Sequence, residues 1–220
     1  MKLTEHVYYY PEKMMPDCNS YLIKDELTLL IDPGSAESLT ELLADIKRDG
    51  INPEDIKLIA NTHLHPDHCW ANNSVKQLTG AKIVGHPLHQ KYYQATIKKM
   101  GNYFGMTGLE FETDSYMENG KLDIGHLVLE VIPSPGHAPE QVCFYSPEEK
   151  FLVCGDVIFA QNTGRVDLPG GNAKDLKQSI ESLSQLDIDY LLPGHMGIIA
   201  GKEKVQQNFE FIRNTVFNWL

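Results

Sequence analysis

Between Thr62 and His68 the chain reads Thr-His-Leu-His-Pro-Asp-His, placing three imidazoles and a carboxylate in the six positions from His63 to His68. Nothing else restricts the fold as tightly, because the backbone must hold four ligand-type side chains close together. A short apolar run, residues 56–60, leads straight into the cluster. His63 and His65 are two apart, so an extended or looping backbone points both the same way. Asp67 and His68 follow on what reads as a turn into a helix. Neutral imidazole and carboxylate are the usual ligands of zinc and its first-row neighbours. The alternative is a polar surface loop that happens to be rich in histidine. It suits one isolated histidine better than four ligand-type groups this close, and further ligands elsewhere in the chain decide between the two.

Composition narrows the class. At 220 residues, 42% apolar and 22% charged, the chain is expected to be globular, with residues 1–220 forming a single domain around one sizeable core. No apolar run approaches the roughly 18–20 residues of a membrane span, and the N-terminal residues lack an apolar signal core. The four cysteines, Cys18, Cys69, Cys143 and Cys154, are far apart with no C-x-x-C pair. That argues against a disulfide framework or a cysteine-built zinc site and suits a reducing cytoplasm. The net charge of −11 is the wrong sign for a protein that grips a phosphate backbone, so no nucleic-acid partner is expected. A small molecule is the expected substrate.

Along the chain, strands are predicted at residues 6–10, 20–24, 27–31, 56–60, 82–85, 127–132, 141–146, 151–155 and 190–192. Leu39, Leu42, Leu43 and Ile46 recur at helical spacing over residues 38–48, and Gly50 is a plausible stop. Further helices are expected through 75–78 and over 87–100, 175–186 and 202–217. Residues 101–115 show no period and interleave glycines with Tyr103, Phe104, Met106, Leu109 and Phe111. A loop this long reads either as a lid or pocket wall or as an irregular helical connection. Strands broken by helices without a low-complexity linker point to an α/β fold.

Three later stretches supply the further ligands. Ser134-Pro135-Gly136-His137 sets a histidine in a loop stiffened by proline, which lowers the entropy lost in holding a ligand still. Val153-Cys154-Gly155-Asp156 ends an apolar strand in a carboxylate, and Leu192-Pro193-Gly194-His195 ends another in an imidazole. Alone, each reads as a cap, a turn or a structural histidine. In a chain that already holds the first cluster, coincidence is a poor explanation.

The ordered series Asp32, His63-x-His65-x-Asp67-His68, His137, Asp156, His195 resembles the full motif set of the metallo-β-lactamase superfamily, spanning residues 32–195. The resemblance implies a four-layer αβ/βα sandwich, two mixed β-sheets face to face with helices outside and metals at one edge. It puts His63, His65 and His137 on one metal and Asp67, His68 and His195 on a second, with Asp156 bridging. Asp32 would support the site from outside the ligand sphere, as outer partners commonly do. Asn61-Thr62, Gly155-Asp156-Val157-Ile158-Phe159 and Gly164-Arg165-Val166-Asp167-Leu168-Pro169-Gly170-Gly171 are most similar to the short glyoxalase II-like group. Full-length glyoxalase II has an extra C-terminal helical region with basic residues that grip glutathione. Only 25 residues follow His195 here, enough for one helix. Arg165 and Asp167 are expected to form a structural pair near the site. Where the family commonly has a glycine pair, this chain has Cys69, read as a small buried thiol, and Trp70, read either as packing into the core or as narrowing the pocket mouth.

The chemistry implied is hydrolysis by a dinuclear centre. Two divalent cations, zinc first and iron or manganese next, would hold a hydroxide that attacks a carbonyl, with Asp67 and Asp156 as the carboxylates at the reacting water. A thiolate, near pKa 8.5, departs without a dedicated acid, whereas an amine requires one. A small acyl thioester is therefore the expected substrate. The rivals are a lactonase, a persulfide dioxygenase with one iron on residues matching His63, His137 and Asp156, and a nonenzymatic metal-binding or RNA-processing protein.

Overall fold

The central strands of both sheets are buried on both faces, and the reason lies in how their side chains divide. The structure, a computed structural model, describes residues 1–117 and 119–220. One sheet holds β1 (Val7–Tyr10), β2 (Ser20–Lys24), β3 (Thr28–Ile31), β4 (Ile56–Ala60), β5 (Lys82–Gly85) and β6 (Ser115–Tyr116), in that order. The second runs β14-β13-β10-β9-β8-β7, from β7 (Lys121–Asp123), β8 (Val128–Pro133), β9 (Val142–Ser146), β10 (Phe151–Gly155), β13 (Tyr190–Pro193) and β14 (Ile199–Ala200). A small hairpin, β11 (Ile158–Phe159) with β12 (Asn162–Thr163), stands apart. Both large sheets are mixed: β1, β2 and β3 are antiparallel neighbours and β3, β4 and β5 parallel, while β10 pairs antiparallel with β9 and parallel with β13.

Alternation along each strand builds the layers. Leu29 and Ile31 of β3 face Phe151 and Val153 of β10 in one core between the sheets, joined by Tyr21, Phe144 and Leu192. The intervening Leu30 turns outward to meet α1 (Leu39–Arg48) and α3 (Asn72–Thr79) through Leu42, Ile46 and Val75. On the other side Leu152 and Cys154 face α5 (Ala173–Leu183) and α6 (Lys202–Asn214) through Leu176, Ile180, Val205 and Phe209. The result is helices, sheet, sheet, helices: the expected αβ/βα sandwich. Among the described residues no helix is long and apolar enough to cross a membrane.

Every predicted strand is present, with ends shifted by a residue or so. Helix ends differ more. The helix expected at 87–100 is α4, Pro87–Phe104, and it runs through Gly101 to a left-handed Gly105. Gly101 is interior because the chain folds back on it: Met106 donates its amide to the Gly101 carbonyl, and the Met106 oxygen lies 3.1 Å from where a Cβ on Gly101 would sit. The helix expected at 175–186 begins earlier, at Ala173, because Asn172 accepts the amides of Lys174 and Asp175 and caps it. The terminal helix stops at Asn214, before a short 3-10 turn at Val216–Asn218.

The stretch 101–115 is therefore helical in its first four residues and an irregular wall beyond. Leu109 joins Leu64, Cys69 and Ile97 in a small apolar cluster, flanked by Met106 and Phe111. Tyr93 of α4 accepts the Phe111 amide and donates to the Phe111 carbonyl, both at 2.5 Å. This wall is packed directly against the histidine loop.

Candidate metal centre

The ends of β3, β4 and β10 and of β13, together with the β8–β9 turn, converge at one edge of the sandwich. Asp32 follows β3 with a left-handed φ of 52°. After β4, His63 to His65 run into α2 (Pro66–Cys69), where Pro66 occupies the first turn and Asp67 and His68 lie within the helix. Asp156 follows β10 beyond Gly155, whose φ of 48° and close approach to Thr62 and Gln141 leave no room for a Cβ. His195 follows β13 beyond Gly194, where a Cβ would collide with the Asp156 carboxylate and the His68 ring. Glycine before each of these ligand-type residues is thus a packing requirement of the site.

All seven side chains predicted to bind metal are brought together. His63, His65 and His137 form one group of converging ligand atoms, Asp67, His68 and His195 another, and His63, His68 and Asp156 a third that overlaps both. Asp156 sits between the sets: Oδ1 is 3.3 Å from His68 Nε2, and Oδ2 is 3.5 Å from both His137 Nε2 and His195 Nε2. Asp67 Oδ2 lies 3.3 Å from His195 Nε2. The first group is sealed, whereas the His195 and Asp67 side chains are 23% and 26% exposed, so the centre opens on their side.

Outer acceptors set the imidazoles. His68 Nδ1 donates to Asp32 Oδ2 at 2.9 Å, His137 Nδ1 to the Arg165 carbonyl at 2.7 Å, and His195 Nδ1 to Glu12 Oε2 at 2.7 Å. Thr62 donates its hydroxyl to Asp32, leaving that oxygen to accept from His63 Nδ1 at 3.1 Å. With each Nδ1 proton held by an outer acceptor, Nε2 is the nitrogen these four rings aim inward and the one left to ligate. His65 differs: its Nδ1 faces His137 Nε2 at 2.8 Å.

These residues fit divalent cations. Nε2 of His63, His65 and His68 and Oδ1 of Asp156 are buried without a hydrogen-bond partner, and a buried polar group left unpaired costs about 1–3 kcal/mol. Burial, reinforced by its histidine neighbours, holds His63 well below the usual imidazole range, and burial with His137 pushes His65 down to about 3. These rings are neutral and ready to ligate. Burial opposes charge on Asp156 as well, yet His68 and then His195 keep it ionised. Burial likewise disfavours a charged His195, but Asp156, Asp67 and Glu12 outweigh it and raise that ring to about 12. Without a metal the carboxylates draw protons onto histidines; a cation satisfies the same field.

Sequence similarity now decides the family. The model of the metallo-β-lactamase superfamily matches residues 16–195. The chain belongs to this superfamily. It is 31% identical over 193 residues, 80% of this chain and 86% of the relative, to a "Probable metallo-hydrolase" of Methanocaldococcus jannaschii. It is 28% identical over 200 residues, 88% of this chain and 92% of the relative, to the hydroxyacylglutathione hydrolase GloC of Haemophilus influenzae. Among solved structures it is similar to TTHA1623 in a di-iron-bound form, with a TM-score of 0.73 and 27% identity over 94% of this chain and 98% of that one. Superfamily membership and the histidine–aspartate cluster together imply divalent metal.

Asp32 meets the cluster through His68 and Thr62. Arg165 and Asp167 do pair, through two 2.6 Å contacts at the surface, but it is the Arg165 backbone carbonyl that reaches His137. Cys69 is a buried thiol raised well above its ordinary pKa by burial, and Trp70 packs against the Leu64 cluster, half-buried. Sequence reasoning missed Glu12 and gave Thr62 no role. Glu12 sits in a Pro-Glu-Lys stretch with no ligand-like signature and meets His195 across 183 residues. The Thr62 hydroxyl is inferable from its place directly before His63.

Proposed function

We propose that the chain is a metal-dependent hydrolase with two divalent cations, acting as one domain on a small acyl thioester. The observation that carries this reading is the placement of Asp156. Its two oxygens address histidines of both groups, so His63, His65 and His137 would hold one cation, Asp67, His68 and His195 the other, and Asp156 would share them. When bound, such a pair supplies Lewis acidity and a water acidified toward pKa of about 7. The chain's own residues do the rest. Asp32, Thr62, Glu12 and the Arg165 carbonyl keep the imidazole protons on Nδ1, so the inward nitrogens stay free. Asp67 and His195 form the exposed rim where a substrate carbonyl enters, and the packed wall of Leu64, Cys69 and Ile97 shields the sealed side from water.

The leaving group follows from what the site does not offer. Burial raises the carboxyl of Glu140, which would suit a proton donor, but Glu140 is 3.3 Å from the Leu64 amide and 3.0 Å from the Thr96 hydroxyl and is engaged with both. A group that leaves as a thiolate has no need of such a donor. Similarity to a hydroxyacylglutathione hydrolase supports the thioester, and similarity to a di-iron protein supports iron beside zinc as the metal.

Elemental analysis of the purified protein, with initial rates on thioesters, lactones and a persulfide under oxygen monitoring, tests this. Two metal equivalents and thioester turnover that Asp156→Ala abolishes are expected. Oxygen uptake with persulfide and one iron, or lactone turnover alone, would replace the reading with a rival.

A further inference from the structure

The segment from Pro11 to Asn19 crosses from β1 to β2 directly over the β13 end, and its hydrogen bonds are spent on the His195 loop. Asn19 is fully buried and uses its whole amide. Its Nδ2 donates to the carbonyls of Pro193 at 2.9 Å and Met196 at 2.8 Å, and its backbone amide donates to Gly194 at 2.7 Å. Its Oδ1 accepts the Glu12 amide at 3.0 Å and the Tyr9 hydroxyl at 3.3 Å. One side chain therefore staples the Glu12 backbone and the 193–196 loop together. Asp17 steadies the same segment, accepting the amides of Lys13 and Ser35, each at 3.0 Å.

On this frame Glu12 makes two contacts: Oε2 takes the His195 Nδ1 proton at 2.7 Å and Oε1 accepts the Met196 amide at 3.2 Å. Each of the other histidines with an outer acceptor is served by its own loop or by a neighbouring strand end. His195, the most exposed of the histidine ligands, is served from the other end of the chain. The geometry points to Glu12 as the positioning residue of the second metal position: the Pro11–Asn19 strap carries it in to fix the tautomer and ring plane of His195, and so sets occupancy of that position separately from the first. This rests on the two-metal reading above. His63, His65 and His137 have no contact with Glu12, so the first position is independent of it.

The test titrates cobalt(II) into the metal-free full-length protein against a competing chelating dye, following visible absorption for each equivalent. Glu12→Gln keeps one acceptor oxygen where two are needed, and Glu12→Ala keeps none. The first equivalent should bind all three proteins alike. The second should weaken about 10–100-fold in Glu12→Ala, with Glu12→Gln in between, and its absorption bands should shift as the ring is released. Unfolding midpoints of the metal-free proteins should stay within a degree or two of one another. A second equivalent held by Glu12→Ala as tightly as by the parent overturns the inference, as does parallel weakening of both equivalents. A parent protein that takes up only one equivalent sinks the two-metal reading instead, and shows it before any variant is made.

Discussion

His68 donates its Nδ1 proton to Asp32 across 2.9 Å, and both side chains are buried. The same carboxylate accepts the Thr62 amide at 2.8 Å and the Thr62 hydroxyl at 2.7 Å, so the end of β3 holds both ends of the histidine loop. Asp32→Asn and Asp32→Ala separate two consequences. Asparagine fills the space and still accepts the Thr62 amide, but its NH2 faces His68 Nδ1 and drives that ring to the other tautomer, which blocks the inward nitrogen. Metal affinity should fall about 10–100-fold with little change in the unfolding free energy. Alanine leaves buried donors unpaired and should also cost about 1–3 kcal/mol. Urea unfolding of the metal-free protein, with metal content after dialysis, reads the two effects separately.

Metal should stabilise the fold substantially. The unpartnered nitrogens of His63, His65 and His68 come from the segment after β4 and the oxygen of Asp156 from the end of β10, so a cation that engages both ties one sheet to the other. At a free concentration a hundred times the dissociation constant the gain is about 2.7 kcal/mol, which raises the melting temperature of a chain this size by about 5–10 °C. Calorimetry of chelator-treated and zinc-loaded protein measures it. His63→Ala should abolish most of the shift; an unchanged shift would mean the metal binds elsewhere.

How much of this was legible in the sequence differs by kind of contact. The layers were readable because Leu29, Leu30 and Ile31 and Phe151, Leu152 and Val153 are continuous apolar runs, the mark of strands buried on both faces. All seven cluster residues announce themselves by side-chain type and by the turns that precede them. The supports do not. Glu12 and Asn19 act on a loop more than 170 residues away, and nothing local distinguishes them from ordinary loop residues. The Arg165 carbonyl is invisible in principle, since any residue offers a backbone oxygen. The end of α4 passes residue 100 because Gly101, which opens the aperiodic stretch, lies inside the helix and is kept small by the returning Met106.

Glu140 gives the pH dependence a sign that can be checked in the metal-free protein. Its carboxyl is buried, and burial raises its pKa above the ordinary 4.5. The folded state therefore binds this proton more tightly than the unfolded state does. The contribution is most favourable below about pH 4.5 and declines as pH rises through the folded pKa, the reverse of a salt-bridged carboxylate. Glu140→Gln keeps an oxygen for the Leu64 amide and a partner for the Thr96 hydroxyl while removing the charge. The variant should match or exceed the parent in stability at pH 7–8 and show a flatter profile between pH 5 and 8. Chemical unfolding across that range decides it, and a steeper profile in the variant would contradict the assignment.

Arg165 and Gly164 distinguish a side-chain support from a backbone one. The Arg165 guanidinium and Asp167 form an exposed pair, and exposed pairs contribute little, roughly 0–1 kcal/mol. The carbonyl that accepts from His137 persists whatever side chain residue 165 carries. Arg165→Ala should therefore keep the parent's metal content and lose at most about 0.5 kcal/mol of stability. Gly164 is different. A Cβ there would collide with the Asp156 carbonyl and come within 3.1 Å of the His137 ring, pressing on the backbone that carries Asp156 and on a neighbouring histidine together. Gly164→Ala should lower metal content and stability, although alanine is the smallest side chain that could be added. Inductively coupled plasma analysis of the two variants after identical dialysis tests the contrast. If Arg165→Ala lost metal while Gly164→Ala kept it, His137 would be held by the guanidinium and not by the main chain.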